Sequence, residues 1–264
     1  MGEFEGKVVW ITGGGSGIGA AAARLFAQGG ARVVLLGRRR EPLEQIARDC
    51  RGLVLQADAA DPQAVRGALA QVRSECGGVD ILLANAGGHG VARLADTDDA
   101  SWALAKRLNL DTAFVCAREL MPDLVARKGN VVIVSSIAGQ FAGPDAVGYV
   151  TTKHALIGLT RSLARDHGRY GVRVNAVSPG WVRTEMADVQ MRDLMSRDGM
   201  ENVEAAYARV TRDVPLGRAA QPGEVAEAIA CLASPRASMI SGISLLVDGG
   251  ASAVDLPTLA FATV

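Results

Sequence analysis

Seven short apolar runs, separated by longer stretches with a helical pattern, restrict the fold of this sequence more than any other feature. The runs are rich in Val, Ile and Leu and hardly alternate with polar residues, so both faces of each strand must be covered. They are Val8–Ile11, Val33–Leu36, Leu53–Leu55, Ile81–Leu83, Val131–Val134, Val172–Val177 and Ile243–Val247. Strands that alternate with helices predict an α/β fold built on one doubly wound, seven-stranded parallel sheet with helices on both faces.

The length and composition fit a single domain over residues 1–264, because 49% of the residues are apolar and no linker or repeat interrupts the pattern. One stretch differs from the rest. Residues 184–213 are rich in Met, Arg and Asp and lack a strand pattern, which predicts a helical insertion. Ligands bind beyond the carboxyl ends of parallel strands, so this insertion is a candidate substrate lid. Residues 251–264 form a mostly apolar C-terminal tail.

The charge balance argues against several classes of protein. The chain carries 28 basic and 28 acidic residues, which indicates neither a nucleic-acid partner nor an anionic membrane. No apolar stretch is long enough to span a bilayer, and the first residues do not have the pattern of a signal peptide. The four cysteines are widely spaced and the three histidines are scattered. We therefore expect a cytoplasmic protein with reduced thiols and no metal site.

A glycine-rich turn follows the first strand and leads into the first helix. Residues 12–19 read Thr-Gly-Gly-Gly-Ser-Gly-Ile-Gly. Glycines let the backbone approach a pyrophosphate closely, and the helix N-terminus offers free N–H groups and the positive end of its dipole. Ordinary turns also contain glycines, but the position between a first strand and a helix favours a Rossmann-type dinucleotide site. The predicted contacts are Gly13, Ser16, Gly17, Ile18 and Gly19.

The end of the second strand bears on the choice of cofactor. An acidic residue there accepts a hydrogen bond from the ribose 2′-hydroxyl of NAD, whereas an arginine accommodates the 2′-phosphate of NADP. Here Gly37 is followed by Arg38, Arg39 and Arg40, with no carboxylate at the strand tip. We predict NADP(H), held by Arg38 with Arg39. NAD(H) remains the alternative, because a solvated helix start has the same basic sequence.

A tyrosine, a lysine and a serine form a candidate catalytic set. Tyr149 and Lys153 are four residues apart in a helical pattern, which puts them on one face, one turn apart. An ammonium beside a phenol favours the phenolate and would lower the tyrosine pKa toward neutrality. Ser136 follows a strand, at the sheet edge where the glycine turn places the cofactor. Its hydroxyl could stabilise charge on a substrate oxygen or simply cap the strand.

These motifs together resemble the short-chain dehydrogenase/reductase family. The resemblance covers about residues 4–250. Its motifs are the turn at 12–19, Asn85-Ala86-Gly87 after the fourth strand, Ser136 with Tyr149 and Lys153, Pro179-Gly180 after the sixth strand, and Asp248-Gly249-Gly250. One departure is visible, because the family often has a further asparagine where this chain has Ala84.

The resemblance implies a role for each matching residue. Tyr149 would be the general acid in reduction and the general base in oxidation. Lys153 would bind the nicotinamide ribose and lower the tyrosine pKa. Ser136 would orient the carbonyl, and Asn109 would hold a water in a proton relay. The further contacts implied are Asp58 and Ala59 at the adenine, Asn85, Ala86 and Gly87 at the adenine ribose, and Pro179, Gly180, Val182 and Thr184 around the nicotinamide.

The predicted function is therefore hydride transfer between a nicotinamide cofactor and a secondary alcohol or ketone. We expect the substrate to be a 3-oxoacyl compound or a cyclic ketone or alcohol. A sugar or polyol dehydrogenase and a non-catalytic dinucleotide-binding regulator remain alternatives. An epimerase on a related fold or a methyltransferase fits less well, because neither explains the chain length and the tyrosine–lysine pair together. The family builds two-fold interfaces, which implies a homotetramer with the apolar tail against a neighbour.

Overall fold

The computed structural model of the chain describes residues 2–88 and 90–261, so the predicted tail is described as far as Phe261 and residues 262–264 lie outside the description. Its strands form one parallel sheet in the order β3-β2-β1-β4-β5-β6-β7. This confirms the Rossmann-type doubly wound α/β fold. The strands are β1 (Val8–Thr12), β2 (Arg32–Gly37), β3 (Leu53–Gln56), β4 (Ile81–Ala84), β5 (Asn130–Val134), β6 (Arg173–Pro179) and β7 (Ser244–Val247).

The helices that connect the strands begin where the sequence supplies helix-starting residues. Asp61 accepts hydrogen bonds from the amides of Gln63 and Ala64, and Pro62 occupies the first helical position. The helices are α1 (Gly17–Gln28), α2 (Arg40–Cys50), α3 (Pro62–Cys76), α4 (Asp99–Lys106), α5 (Thr112–Arg127), α6 (Val147–His167), α7 (Glu185–Asp198), α8 (Val203–Val210) and α9 (Pro222–Ala233). A π-helical turn, Arg107–Asp111, joins α4 to α5.

The core consists of two large hydrophobic clusters, one on each face of the sheet. Val9 and Ile11 of β1 belong to one cluster, with residues of α1 and α9, whereas Val8 and Trp10 belong to the other, with residues of α3 and α5. Successive side chains of a strand point to opposite faces. Both faces are covered by helices, which explains why the strands read as unbroken apolar runs.

The predicted insertion consists of two helices, α7 and α8, with a small hydrophobic cluster of their own. Met191, Ala206 and Tyr207 are buried in it, and Met195 and Met200 pack against it. Most of the insertion's methionines therefore hold its two helices together. Whether the insertion acts as a lid remains a prediction.

The C-terminal tail continues from β7 as two short 3₁₀ turns, Ala251–Ala253 and Leu256–Phe261. Phe261 is 83% exposed. Across residues 2–88 and 90–261, none of the helices combines the length and hydropathy that a bilayer-spanning segment requires.

Candidate active site

A cleft of about 790 Å³ opens at the carboxyl edge of the sheet. In the strand order, β1 lies between β2 and β4, so the winding of the chain reverses at this point and leaves a crevice there. Most of the predicted site residues line this cleft. They are Gly13, Ser16, Gly17, Ile18, Arg38, Arg39, Asp58, Ala59, Asn85, Ala86, Gly87, Ser136, Tyr149, Lys153, Pro179, Gly180, Val182 and Thr184. Gly19 and Asn109 lie behind the cleft wall.

The glycine turn adopts a conformation that its residues make possible. Gly13 has a φ of 66° and Gly17 a φ of 51°, in the left-handed region that favours glycine. Ser16 precedes α1 without a side-chain cap, so its hydroxyl does not occupy the first amides of the helix. At Gly19, an added Cβ would collide with the carbonyl oxygen of Gly13. Gly19 therefore lets α1 pack onto the turn. Unlike the other predicted contacts of the turn, it does not line the cleft.

Thr12 and Asn85 hold the glycine turn against the loop that follows β4. The Asn85 Nδ2 donates to the carbonyl oxygens of Thr12 (3.0 Å) and Gly13 (3.2 Å). The Thr12 Oγ1 accepts from the amides of Asn85 (2.9 Å) and Ala86 (3.0 Å). Asn85 thus fixes the turn through its side chain, and its contact to the adenine ribose remains a prediction.

The end of β2 presents two arginines to the cleft. Arg38 and Arg39 are exposed, and within the described part of the chain neither side chain takes part in a hydrogen bond or an ion pair. Arg40, the next residue, differs because its Nε donates to Glu44 at 2.6 Å. Two guanidinium groups at the cleft are therefore available to an anionic ligand.

Asp58, at the same end of the cleft, is already engaged. Its carboxylate accepts from the Ala60 amide (2.9 Å) and from the Arg107 guanidinium (2.7 Å). Burial acts to raise the pKa of Asp58, but these two hydrogen bonds and the charge of Arg107 outweigh it and lower the pKa. Asp58 is thus ionised and paired. No local sequence pattern marks the pairing with Arg107, 49 residues away.

The three predicted catalytic side chains come together near the start of α6. The hydroxyl of Ser136 lies close enough to the Tyr149 phenol to act on its pKa. The Lys153 Nζ donates to the Val134 carbonyl oxygen at 3.0 Å and lies 5.6 Å from the centre of the Tyr149 ring. The Tyr149 amide donates to the Gly90 carbonyl oxygen at 3.0 Å, which fixes the first turn of α6.

Burial sets the pKa values of this group. It raises the pKa of Tyr149, with the nearby Ser136 hydroxyl acting in the opposite direction. It lowers the pKa of Lys153 to about 8. In the protein alone, burial therefore decides the direction of the tyrosine shift, and the lowering of the tyrosine pKa by Lys153 remains a prediction. The physical reason for this direction is that the ammonium is directed to the Val134 carbonyl, while a buried phenolate is costly.

The two serines after β5 have separate tasks. Ser135 is buried, and its Oγ donates to the Lys153 carbonyl oxygen at 3.0 Å, which ties β5 to α6. Ser136 caps the short 3₁₀ turn Ile137–Gly139 by accepting from the Ala138 amide at 3.1 Å. Its hydroxyl also lies near Tyr149, so the cap does not exclude the catalytic role of Ser136, which remains a prediction.

Asn109 lies in the π-helical turn and is fully buried. Its Oδ1 accepts from the Gly88 amide at 2.6 Å, and its Nδ2 donates to the Ala105 carbonyl oxygen at 3.0 Å. A Cβ placed on Gly87 would lie 3.1 Å from the Asn109 Oδ1 and 3.4 Å from the Lys153 Nζ. The Asn109 Oδ1 and the Lys153 Nζ therefore both lie close to Gly87. Single π-helical turns are frequent at functional sites.

Comparison with known proteins assigns the chain to a family. A family model described as enoyl-(acyl carrier protein) reductase matches residues 13–252. The chain is 49% identical to Protein MoaE of Klebsiella aerogenes over 259 residues, 97% of this chain and 99% of that protein. It is 37% identical to cis-4-hydroxycyclohexanecarboxylate dehydrogenase of Sinomonas cyclohexanicum, with 96% and 100% covered.

Among solved structures, L-sorbose reductase from Gluconobacter frateurii, complexed with NADPH and L-sorbose, superimposes with a TM-score of 0.89 at 32% identity. The match covers 93% of this chain and 96% of that chain. The chain belongs to the short-chain dehydrogenase/reductase family. It is a nicotinamide-dependent oxidoreductase that transfers a hydride between its cofactor and a secondary alcohol or ketone.

The roof of the cleft in this dehydrogenase/reductase comes from the first turn of α7. Thr184 caps that turn, with its Oγ1 accepting from the Ala187 amide at 3.2 Å. Met186 lies across the cleft against Gly88, where an added Cβ would collide with the methionine Sδ and Cε. Met186 thus differs from the methionines inside the insertion, because it lines the cleft.

The residues of the cleft fit a dinucleotide. The left-handed glycines and the uncapped start of α1 form a backbone cradle suited to a pyrophosphate. Gly180 packs against the backbone of Asp248, where a Cβ would lie 3.1 Å from the Asp248 Cα. The Asp248 carboxylate in turn accepts from the amides of Gly250 (3.0 Å) and Ser252 (2.9 Å). The Asp248-Gly249-Gly250 motif therefore supports Gly180 at the cleft wall from behind.

Proposed function

We propose that this enzyme prefers NADP(H) and that Arg38, with Arg39, binds the 2′-phosphate. The observation that carries this proposal is the pair of guanidinium groups at the end of β2, neither of which is hydrogen-bonded to, or in an ion pair with, an acidic side chain among the described residues. A phosphate would supply that partner through charge-assisted hydrogen bonds. Asp58 does not compete strongly for Arg38, because its carboxylate is bound to Arg107.

The remaining predicted contacts fill the cleft from one end to the other. Gly13, Ser16, Gly17 and Ile18 would bind the pyrophosphate, with Gly19 supporting the turn from behind. The other proposed contacts are Asp58 and Ala59 for the adenine, Asn85, Ala86 and Gly87 for the ribose, Lys153 for the nicotinamide ribose, and Pro179, Gly180, Val182 and Thr184 for the nicotinamide.

In the proposed mechanism Tyr149 carries the proton. The bound cofactor supplies or accepts the hydride. Because burial raises its pKa, the Tyr149 phenol is protonated at neutral pH and can donate to a carbonyl oxygen in reduction. Ser136, which lies near Tyr149, orients the same oxygen and stabilises the charge that develops on it. In oxidation Tyr149 must first lose its proton, and the phenolate would then accept the proton of the alcohol.

Lys153, with the support of Asn109, would return a proton to Tyr149 after each reduction. With its pKa lowered to about 8, Lys153 is mostly protonated at pH 7 and loses its proton more easily than an ordinary lysine. The Asn109 Oδ1 lies close to Gly87, as the Lys153 Nζ does, and it anchors the loop that follows β4 through the Gly88 amide. We assign to Asn109 the support of a water-mediated relay to Lys153.

For the substrate we propose a compact, mainly apolar ketone or secondary alcohol, either cyclic or 3-oxoacyl. The support is a set of exposed apolar side chains on the loops and helix that follow β4, β5 and β6 at the cleft edge of the sheet. They are Val91, Leu94, Phe141, Met186 and Val189. The dehydrogenase of Sinomonas cyclohexanicum, which is named for a cyclic hydroxy acid, is 37% identical to this chain.

A sugar or polyol remains the second candidate substrate. Gln190 and Glu185 of α7 line the cleft and could bind hydroxyl groups, and L-sorbose reductase has a similar fold. The two substrate classes are separated by kcat/KM for a panel of cyclic ketones, 3-oxoacyl thioesters and ketoses. Higher values for the ketoses would overturn the apolar assignment.

The cofactor proposal is tested by fluorescence titration of the wild-type protein with NADPH and with NADH. We expect tighter binding of NADPH. A clear preference for NADH would contradict the role of Arg38 and leave the roles of Tyr149, Lys153 and Ser136 untouched.

We also propose a cytoplasmic homotetramer. Large apolar side chains are exposed on helices and turns away from the cleft, including Leu104, Phe114, Met239 and Phe261. A second copy of the chain would cover such groups. Phe261 belongs to the C-terminal tail, so the tail would take part in the interface. Sedimentation velocity should give the mass of four chains, and a monomer would contradict the proposal.

A further inference from the structure

The α7–α8 pair is a small packed unit on the edge of the molecule. Its hydrophobic cluster is separate from the two clusters that flank the sheet. Beyond residues 184–213, the described members of this cluster are Ala219 and the partly buried Trp181, so the placement of the pair depends on contacts with these two residues and on links near its ends. The residues between β6 and α7 provide the nearest of these links.

Arg183 makes an unusually complete set of contacts to this unit. Its guanidinium donates two hydrogen bonds to the Glu204 carboxylate of α8, Nη1 to Oε1 at 2.6 Å and Nη2 to Oε2 at 2.5 Å. Its Cζ also lies 4.3 Å from the centre of the Tyr207 ring. Bidentate pairing fixes both distance and orientation, and stacking on an aromatic face adds to it.

Tyr207 extends the connection to α7. The ring is buried, and its hydroxyl donates to the Asp188 Oδ1 at 2.7 Å. Through Glu204 and Tyr207, the one guanidinium of Arg183 is therefore connected to both helices of the unit.

The backbone of Arg183 is fixed to the body of the protein. Its amide donates to the Ala220 carbonyl oxygen at 2.9 Å, and Val182 forms an isolated parallel bridge with Ala220. The residues on either side, Val182 and Thr184, line the cleft. Arg183 thus lies between a fixed backbone segment that faces the cleft and a helical unit whose own core is small.

We propose that Arg183 is a positioning residue that, through Glu204 and Tyr207, holds α7 where Thr184 and Met186 close the cleft. Arg183 does not contact the reacting groups. It acts on the substrate through Met186, which lies against Gly88, and on the cofactor through Thr184. The inference rests on the proposed roles of the cleft residues and adds to them how the roof is held in place.

The kinetic test uses Arg183→Lys and Glu204→Gln. Lysine retains the charge but cannot form the bidentate pair or stack as a planar group on Tyr207. We expect KM for the ketone to rise roughly three- to tenfold in each variant, with kcat within about twofold of wild type. KM of the double variant should be no higher than that of the more strongly affected single variant, because the two substitutions remove the same interaction.

The matched control is Asp49→Asn, which removes a surface ion pair with Arg24 between α1 and α2. It should leave KM unchanged. An unchanged KM in Arg183→Lys and Glu204→Gln, or an equal rise in the control, would overturn the proposal.

A second test needs no turnover. The α7–α8 unit contains Arg192, Arg197 and Arg209, Arg212 follows it, and Glu204→Gln and Asp49→Asn leave every tryptic site in place. We expect trypsin to cleave this unit at least about three times faster in Glu204→Gln than in wild type, because local opening governs cleavage. Equal cleavage rates in the two variants would contradict the positioning role. This result does not depend on Tyr149, so failure of the catalytic assignment would be recognised separately.

Discussion

The two halves of the cleft are built in different ways. The cofactor half consists of strand ends and backbone groups, with the glycine turn fixed by Thr12 and Asn85 against the central strands. The substrate half is roofed by α7, which belongs to a separate small cluster and is linked to the body through Arg183. The difference suggests that cofactor binding is tied to the stability of the sheet, whereas substrate selection depends on a roof that can change without disturbing the core.

The largest effect on cofactor binding is expected in the cofactor half, from Gly19→Ala. The added Cβ would collide with the Gly13 carbonyl oxygen, so the turn must shift at a cost of about 1–3 kcal/mol. NADPH affinity, measured by fluorescence titration, should fall about tenfold or more. The control is Gly67→Ala within α3, where an added Cβ meets nothing within 4 Å. Unchanged NADPH affinity in Gly19→Ala would contradict the rigid-turn account.

A selective effect is expected from Arg38→Gln. Loss of a charge-assisted contact to the 2′-phosphate should reduce NADPH affinity about tenfold and leave NADH affinity unchanged. Arg40→Gln is the matched control, because the guanidinium of Arg40 is already bound to Glu44. An equal loss for both cofactors in Arg38→Gln would argue against a 2′-phosphate site.

The pH dependence of cofactor binding should follow Lys153. Burial lowers the pKa of Lys153 to about 8, so the ammonium is present below that pH and is lost as the pH rises through it. We expect NADPH affinity to decrease by a factor of a few between pH 7 and pH 9. Because this measures binding, the same decrease should appear when Tyr149 is replaced by Phe. A profile that is flat through pH 8 would contradict an ionisable contact at Lys153.

The smallest effect is expected in the substrate half, from Met186→Ala. Shortening the side chain opens the roof over Gly88 without touching the core of the insertion, so stability should be unchanged and KM for small ketones should rise by about twofold to fivefold. Met239→Ala is the control, since that side chain is 94% exposed and lies outside the cleft. A loss of stability in Met186→Ala would show that the roof is part of the core.

The sequence predicts the cofactor half better than the substrate half. The strands, the glycine turn and the Tyr149–Lys153 spacing are local patterns, and all three appear as predicted. The pairing of Arg107 with Asp58 joins residues that only the fold brings together, and nothing in the local sequence marks the π-helical turn.

The direction of the Tyr149 pKa shift could not be read from spacing either. Spacing places Lys153 one turn away, but burial and the Val134 carbonyl decide where the ammonium points. The methionines of the insertion show the same limit, because Met186 lines the cleft while Met191 is buried in the cluster.

The central claim is that the buried Tyr149 phenol carries the proton of the reaction, and Tyr149→Phe tests it most directly. This variant keeps the ring and loses the hydroxyl, so it should fold and bind NADPH as the wild type does. Its kcat for ketone reduction should fall by a factor of about 10² to 10⁴ or more. A Tyr149→Phe enzyme that binds NADPH and reduces ketone at the wild-type rate would contradict the account.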